Sequence, residues 1–520
     1  MGIIYLFQQL FTILTNPVTV VILLGATTLG VMIGALPGLS ATMGIALLTG
    51  LTYKIDSTYA FAVLMGIYVG AIYGGSMSAI LLNIPGTASA AATALEGNIM
   101  ARQGKAELAI KVTRAASIIG TFIGVIALAV IAAPMTSIAL KFASAEYFLL
   151  AVFGILMCGS IVKADITIKG WIGGMLGILI ACVGIDGILS APRFWFGNTD
   201  LIGGIELIPA MIGFYAIPEV IKALNKYDEV LEVRDLSKEK DANLGADGKK
   251  QRPFAIAIKN YAAIIKASLI GVGVGALPGV GEDVAAWIAY DTVKKGSKTP
   301  ELYGTGECYE AIISPEVGNN AAIGGATIPL LTLAVPGSPP AAMLLGAFMV
   351  HNIIPGPMLF STNPDFIFYI AALIFAATIA LWVVGMVIAR PMTKVLKVPN
   401  QYLMPIVSVL SIVGAYAISL NDFDITIVFA FGILGYLFDK MKYATAPIVL
   451  GIILGEMIDT YFRRALIASR GDMSVFFTQS WITVLFCIII AIVLIKNIFP
   501  KLQLNPMYYI KKGKKANDGE

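Results

Sequence analysis

Glycine and proline stand together twice where an apolar helix would otherwise run unbroken, as GALPG at residues 34–38 and again at 275–279. A broken helix leaves backbone N–H and C=O groups that lipid cannot satisfy, so at membrane depth such a loop lines a protein-walled or watery cavity. The free N–H groups that open the next helix carry partial positive charge and suit a carboxylate. Four such openings are written here, after Gly38, Gly86, Gly279 and Gly337, with Pro37, Pro85, Pro278 and Pro336 as the breakers. Hydroxyl or amide neighbours accompany them, namely Ser40, Thr42, Asn83, Thr87, Ser89 and Ser338, and Gly281 extends the second loop. The expected chemistry is recognition of a carboxylate substrate. A purely structural reading stays open beside it, in which glycine and proline kink packed helices and allow close approach.

Charged residues inside apolar stretches are the second signal. Glu282 and Asp283 follow the second GALPG directly, and Glu316, Asn319 and Asn320 open a further apolar run. Adjacent carboxylates repel unless a proton or cation sits between them, and a buried carboxylate needs a partner, a proton or a cation. All three acids are therefore candidates for ion coupling, and Asn319 and Asn320 for substrate binding, with a solvent-filled vestibule for the pair and a helix cap for the Glu316 group as the alternatives. No cofactor is expected beyond Na+ or H+ as the coupling ion. Catalysis is not expected: His351 is the lone histidine, read as a solvated loop residue, and GEDV at 281–284 matches no catalytic motif. Four scattered cysteines, Cys158, Cys182, Cys308 and Cys487, form no CxxC pair, which argues against a metal site or a disulfide framework.

The elements that must hold these residues are membrane helices. Hydrophobic residues make up 58% of the 520-residue chain and charged residues 13%, against about 25% charged in soluble domains. Apolar runs of about 20 residues recur along the chain, which predicts an all-α integral membrane protein of about 10–12 spans plus re-entrant pieces. The lipid bilayer is thus an expected partner and nucleic acid is not. The N-terminus lacks the charge pattern and cleavage site of a secretory signal and is expected to be retained.

A polar, mixed-charge stretch separates two apolar halves. The expected organisation is a first membrane repeat over 1–221, a cytoplasmic linker over 222–260, a second repeat over 261–498 and a cytoplasmic tail over 499–520. GALPGLSATMG at 34–44 matches GALPGVGEDVA at 275–285, and GGSMSAILLNIPG at 74–86 matches GGATIPLLTLAVPG at 324–337, so the halves are an internal duplication. Glycines 70, 74, 75, 324 and 325 are expected chiefly to let helices approach closely.

Lysine and arginine favour cytoplasmic loops. Arg102, Lys105, Lys111 and Arg114 follow the first IPG, whereas the stretch after the second VPG has neither residue; Lys294, Lys295 and Lys298 follow the second GALPG, whereas only Lys54 follows the first. Arg390, Lys394 and Lys397 answer to Lys141 alone, and Lys163 with Lys169 answer to the lysine-free loop around Asn421. The bias reverses in all these comparisons, so the repeats are expected to be inverted, with each GALPG at the tip of a hairpin entering from opposite sides. Transporters so built place their substrate between the repeats near mid-membrane, and one repeat assembly then moves relative to the other.

The ordered motifs also resemble a known family. YGGSMSAILLNIPGTASAAAT from 73, RFWFGNTDLIGGIELIPAMIGFYAIPEV from 193, SPEVGNNAAIGGATIPLLTLAVPGSPPAAMLLGA from 314, IIPGPMLF from 353 and RRALIASRGD from 463 are similar to the large membrane subunit of the tripartite tricarboxylate transporters, over residues from about 18 to about 480. The resemblance implies a multi-pass secondary transporter of the bacterial inner membrane. Its expected partners are a small four-helix membrane protein and a periplasmic solute-binding protein, and its drive a proton or sodium gradient. Two departures stand out: Glu282 and Asp283 where small or apolar residues are usual, and Ser40 where glycine is often found. Arg463, Arg464 and Arg470 have Glu456, Asp459 and Asp472 as candidate partners, or a docking role.

Overall fold

A computed structural model describes residues 2–161, 167–224 and 252–498. Lys163, the linker over 225–251 and the tail over 499–520 lie outside the described residues. The described chain is helical apart from a two-stranded antiparallel ribbon, β1 (Gly184–Ile185) with β2 (Pro192–Arg193). Seven helices are long and apolar enough to cross a membrane, or eight if a bent pair counts as one span. Six further apolar helices of 10–17 described residues accompany them, beside the about 10–12 spans expected from apolar runs. Among them the helices at residues 41–52 and 339–350 have 12 residues each, short of the about 20 needed to span.

Each half opens with the same series. In the first, α1 (Gly2–Thr15) kinks at Asn16 into α2 (Pro17–Ala35), the LPG loop follows, and α3 (Ala41–Thr52) leads to α4 (Ser57–Leu82). A second break precedes α5 (Ala90–Arg102), and α6 (Ala106–Ala139) closes the series. In the second half, α10 (Pro253–Lys259) bends by 80° into α11 (Tyr261–Gly275), then come α12 (Gly281–Lys295), α13 (Tyr309–Leu333), α14 (Pro339–Val350) and α16 (Pro364–Val387), with the short α15 (Pro357–Thr362) between the last two. Thus α10 lies within the stretch expected to be linker. The helix stops agree in detail: α4 ends on Asn83 and α13 on Ala334, both left-handed with φ of 58°.

Glycine packing fixes the direction of the helices. A Cβ on Gly30 would meet Ile67 and one on Gly34 would meet Ala71; likewise Gly271 meets Gly318 and Gly275 meets Ala322. The partners advance together, so α2 runs parallel to α4 and α11 to α13. It follows that α3 and α12 carry the chain back to where α2 and α11 began: each LPG loop is the tip of a helical hairpin. At a rise of 1.5 Å, the 15 residues of α12 cover about 22 Å, less than the about 30 Å of a bilayer core. Between halves the sense is opposite. Arg114 meets Gly385 while Phe122 stacks on Phe375, so α6 and α16 are antiparallel. Likewise Ser76 of α4 meets the N-terminal third of α13 at Glu316, whereas the earlier Tyr68 meets Ser338, past its C-terminal end.

The remaining helices form a second body: α7 (Ser144–Ile161), α8 (Thr167–Ala181), α9 (Leu207–Leu224), α18 (Asn400–Ser419), α19 (Asp422–Lys440), α20 (Thr445–Ala468) and α22 (Trp481–Ile498). Here α8 packs on α20 and α9 on α19, again through glycine: Gly177 against Gly451, and Gly213 against Val428 and Phe431. The expected packing glycines behave alike, Gly70 and Gly74 against the Thr27 and Val31 carbonyls, Gly324 and Gly325 against Gly124 and Val272, and Gly75 against Thr87.

Candidate functional site

The hairpin tips and the helix breaks come together. Gly279 N–H donates to the Pro336 carbonyl at 3.3 Å, and a Cβ on Gly281 would lie 2.8 Å from Ser338, so the second loop sits against the second break. In the first half, a Cβ on Gly86 would lie 2.0 Å from the Gly34 carbonyl, and in the second half one on Gly337 would lie 2.0 Å from that of Gly275. Gly38 and Gly279 have φ of 90° and 71°, which glycine alone adopts without strain at such a tip. Ser40 caps α3 by accepting the Met43 N–H, and Ser338 caps α14 by accepting that of Ala341.

Between these loops lies a cavity of about 470 Å³. From the first half it is lined by Gly38, Ser40, Thr42, Gly86 and Thr87, and from the second by Glu282, Asp283, Pro339 and Pro340. Helices α9, α19 and α20 complete it with Tyr215, Glu219, Lys222, Asp439 and Thr445. Lys222 Nζ sits 2.7 Å from Glu219 and 3.1 Å from Asp439, and this partly exposed triad marks the mouth. Away from it the second loop is sealed: Pro278, Gly279 and Val280 are buried, and a Cβ on Gly154 of α7 would meet both Leu454 and Pro278. Leu150, Ile155, Leu333, Val335 and Leu454 form an apolar plug there. A second cavity of about 760 Å³, beside Ala334, Tyr147 and Tyr461, lies towards the other end of α20.

Glu282 is held from both halves. Tyr68 of α4 donates its hydroxyl to Glu282 Oε1, Ser338 donates to the same oxygen at 2.9 Å, and all three residues are buried. Asp283 faces the N–H and hydroxyl of Ser89, which itself bonds Thr87 at 3.0 Å.

Glu316, Asn319 and Asn320 lie elsewhere. Glu316 is in the interior of α13, which removes the helix-cap alternative, and it receives four donors: Ser76 at 2.6 Å, Ser117 at 2.7 Å, Thr93 at 3.0 Å and Asn320 at 3.1 Å. The network joins α4, α5, α6 and α13 and does not border the cavity. Asn319 is fully buried, and among the described residues neither of its amide atoms is paired. Pro37 and Pro85 shape their loops, Pro336 and Gly337 are packed under the second break, and Asn83 is the exposed stop of α4. Nearby, Glu96 of α5 is buried and accepts three main-chain N–H groups of the loop between α12 and α13, from Gly304, Gly306 and Cys308 at 2.6, 2.7 and 3.1 Å. His351 is not a solvated loop residue: it ends α14, half-buried, with its ring 5.3 Å from that of Phe61.

The family model that matches residues 20–450 is that of the tripartite tricarboxylate transporter TctA family. The chain belongs to this family. A relative from Agrobacterium vitis, an uncharacterized 52.8 kDa protein in TAR-I ttuC' 3'region, is 34% identical over 469 residues, 89% of this chain and 90% of its own length. An uncharacterized protein in TAR-II ttuC' 3'region of the same organism is 36% identical over 212 residues, 41% of this chain and 86% of that protein. No solved structure matches. This TctA-family chain is a multi-pass membrane protein.

Sequence reasoning missed Glu219, Lys222 and Asp439, which line the cavity, and Tyr68, which holds Glu282 from behind it. Lys222 was expected in the linker, yet α9 carries it to the mouth. Of the three arginines near 463–470, Arg463 pairs with Asp459 at 3.5 Å, as foreseen, and also with Asp186. Arg193 pairs with Asp459 at 3.0 Å, so two aspartates and two arginines pin the β1–β2 ribbon to α20. The Leu189 and Ile188 N–H groups, with Arg463, hold the Asp186 carboxyl well below the usual carboxylate range. A depressed value stabilises the ribbon above the ordinary aspartate range, and that contribution is lost as pH falls through the folded value. Hydrogen-exchange protection over 184–193 is therefore expected to persist at mildly acid pH. Asp186→Asn should reduce it at neutral pH; equal protection in both proteins would show the cluster to be idle.

Proposed function

We infer that this chain is the large transmembrane subunit of a tripartite secondary transporter of the bacterial inner membrane. It imports a carboxylate delivered by a periplasmic solute-binding protein, with a small four-helix membrane protein as its other partner. The observation that carries this reading is the cavity between the two helix breaks and the two hairpins, lined on one side by helix N-termini and hydroxyls and on the other by Glu282 and Asp283. The first wall suits an anion. The second, with adjacent carboxylates, must take up a proton or sodium ion for an anion to bind well beside it, which couples uptake to an ion gradient.

The halves are read as inverted repeats, supported by the antiparallel course of α6 and α16 and by the reversed lysine and arginine bias. On that bias the Lys222 mouth faces the cytoplasm, so the cavity is in its inward-open state, and the apolar plug closes the outer side. Alternating access then requires the plug to part as the mouth closes.

The test is uptake into proteoliposomes holding the complete transporter and its binding protein, with sodium and pH gradients imposed separately. Accumulation against the carboxylate gradient is expected. Joint Glu282→Gln and Asp283→Asn replacement should cut gradient-driven uptake by at least about tenfold while the binding protein keeps its affinity. Unchanged uptake would reject coupling at this pair, and flux without accumulation would identify a channel.

A further inference from the structure

Resting on the reading of this cavity as the carboxylate site, we propose that Lys222 binds one carboxylate of the substrate at the inner mouth, in the place that Asp439 holds in this structure. Charge singles it out. Among the described residues that line the cavity, Glu219, Glu282, Asp283 and Asp439 are acidic and Lys222 is the single cation. An anion at this mouth meets like charge from the acids, and one side chain attracts it at short range. That side chain is an ammonium with three donors on a flexible stem, able to turn from one carboxylate to another.

The two acids on Lys222 are held unequally. Glu219 lies three residues earlier on the same helix, 2.7 Å from Nζ, and stands beside the first hairpin, its Oε2 3.9 Å from where a Cβ on Gly38 would lie. It is the fixed partner. Asp439 reaches across from α19 to 3.1 Å, and its side chain is 48% exposed against 34% for Glu219. It also stands in the last turn of α19, where the free carbonyl ends disfavour a carboxylate. So exposed an ion pair is weak, and a substrate carboxylate, with the same charge and the same acceptor atoms, can take its place on Nζ. Asp439 is then a tethered competitor. It returns to Lys222 as the anion departs, so the ammonium does not keep the anion at the mouth.

Calorimetric titration of the full-length chain in nanodiscs with succinate, malate and citrate tests this, the tightest binder being carried through the variants. Asp439→Asn should bind it about threefold more tightly, and a gain of binding cannot come from a misfolded protein. Lys222→Gln should bind it about tenfold more weakly in a chain of normal thermal unfolding. The double variant decides the route: if Asp439 acts by holding Lys222, adding Asp439→Asn to Lys222→Gln should restore nothing. A tightening that persists without the ammonium would mark plain repulsion and overturn the exchange, as would unchanged binding in either single variant. Failure of all three carboxylates to bind the unaltered chain would instead overturn the carboxylate site itself.

Discussion

Glu316→Ala is expected to cost about 2–6 kcal/mol of stability, visible as a lower unfolding temperature of the detergent-solubilised chain. Ser117 and Asn320 have other acceptors, the carbonyls of Thr113 and of residue 316 itself, at 2.8 and 2.9 Å. Ser76 and Thr93 have none among the described residues, so removing the carboxylate strands two buried hydroxyls, each costing about 1–3 kcal/mol. Glu316→Gln keeps one acceptor oxygen and should lose less. The pair also separates structure from coupling: a Gln chain that folds and still accumulates substrate assigns Glu316 to scaffolding, and one that folds but cannot accumulate assigns it to the ion. An alanine chain as stable as its parent would show the four donors to be interchangeable with packing.

Gly337→Ala is the second large effect. Its Cβ would lie 2.0 Å from the Gly275 carbonyl and 2.7 Å from the Ala326 Cα, and both obstacles are main chain that cannot swing aside. Overpacking usually costs about 1–3 kcal/mol, and a clash with backbone belongs at or above the top of that range. The second break would be pushed off the second hairpin, so Ser338 would leave Glu282 and substrate binding should fall with stability. Gly273→Ala on the same α11 is the control: nothing lies within 4 Å of its Cβ, and it should be neutral or stabilise by up to about 1 kcal/mol. Equal behaviour of the two variants would disprove the close approach.

The loops were legible because glycine and proline in an apolar run have so few uses, and repetition of the string made their pairing visible. The hairpin turn was legible too, from Lys259 and Lys266 before the second loop and Lys294 and Lys295 after it. What fills the space around the loops was not. Tyr68 reads as one more apolar residue of α4, because nothing local marks a hydroxyl that meets a carboxylate 214 positions away. Ser76, Thr93 and Ser117 were equally silent, although a carboxylate written into an apolar run signals that donors must exist on neighbouring helices. The same charge that marked Glu316 as functional is therefore as well explained by a buried network. Lys222 was hidden by continuity, since one polar stretch runs from the end of α9 into the linker. The number of spans was legible only roughly, because apolar helices such as α3 and α14 are shorter than the about 20 residues a span needs, a property of length that composition alone does not carry.

The clasp of Glu96 on the loop between α12 and α13 has a mechanical consequence. With the Glu316 network, it rivets α5 of the first repeat to the second repeat at two depths, through three main-chain bonds in one place and side-chain bonds from three first-half helices in the other. A sliding surface drawn between the two halves of the sequence would have to shear all of them in every cycle. A boundary that crosses the repeats, between the hairpin-bearing helices and α7 to α9 with α18 to α20, spares these bonds. On the transport reading proposed above, both hairpins would then move together, on the same side of any sliding surface.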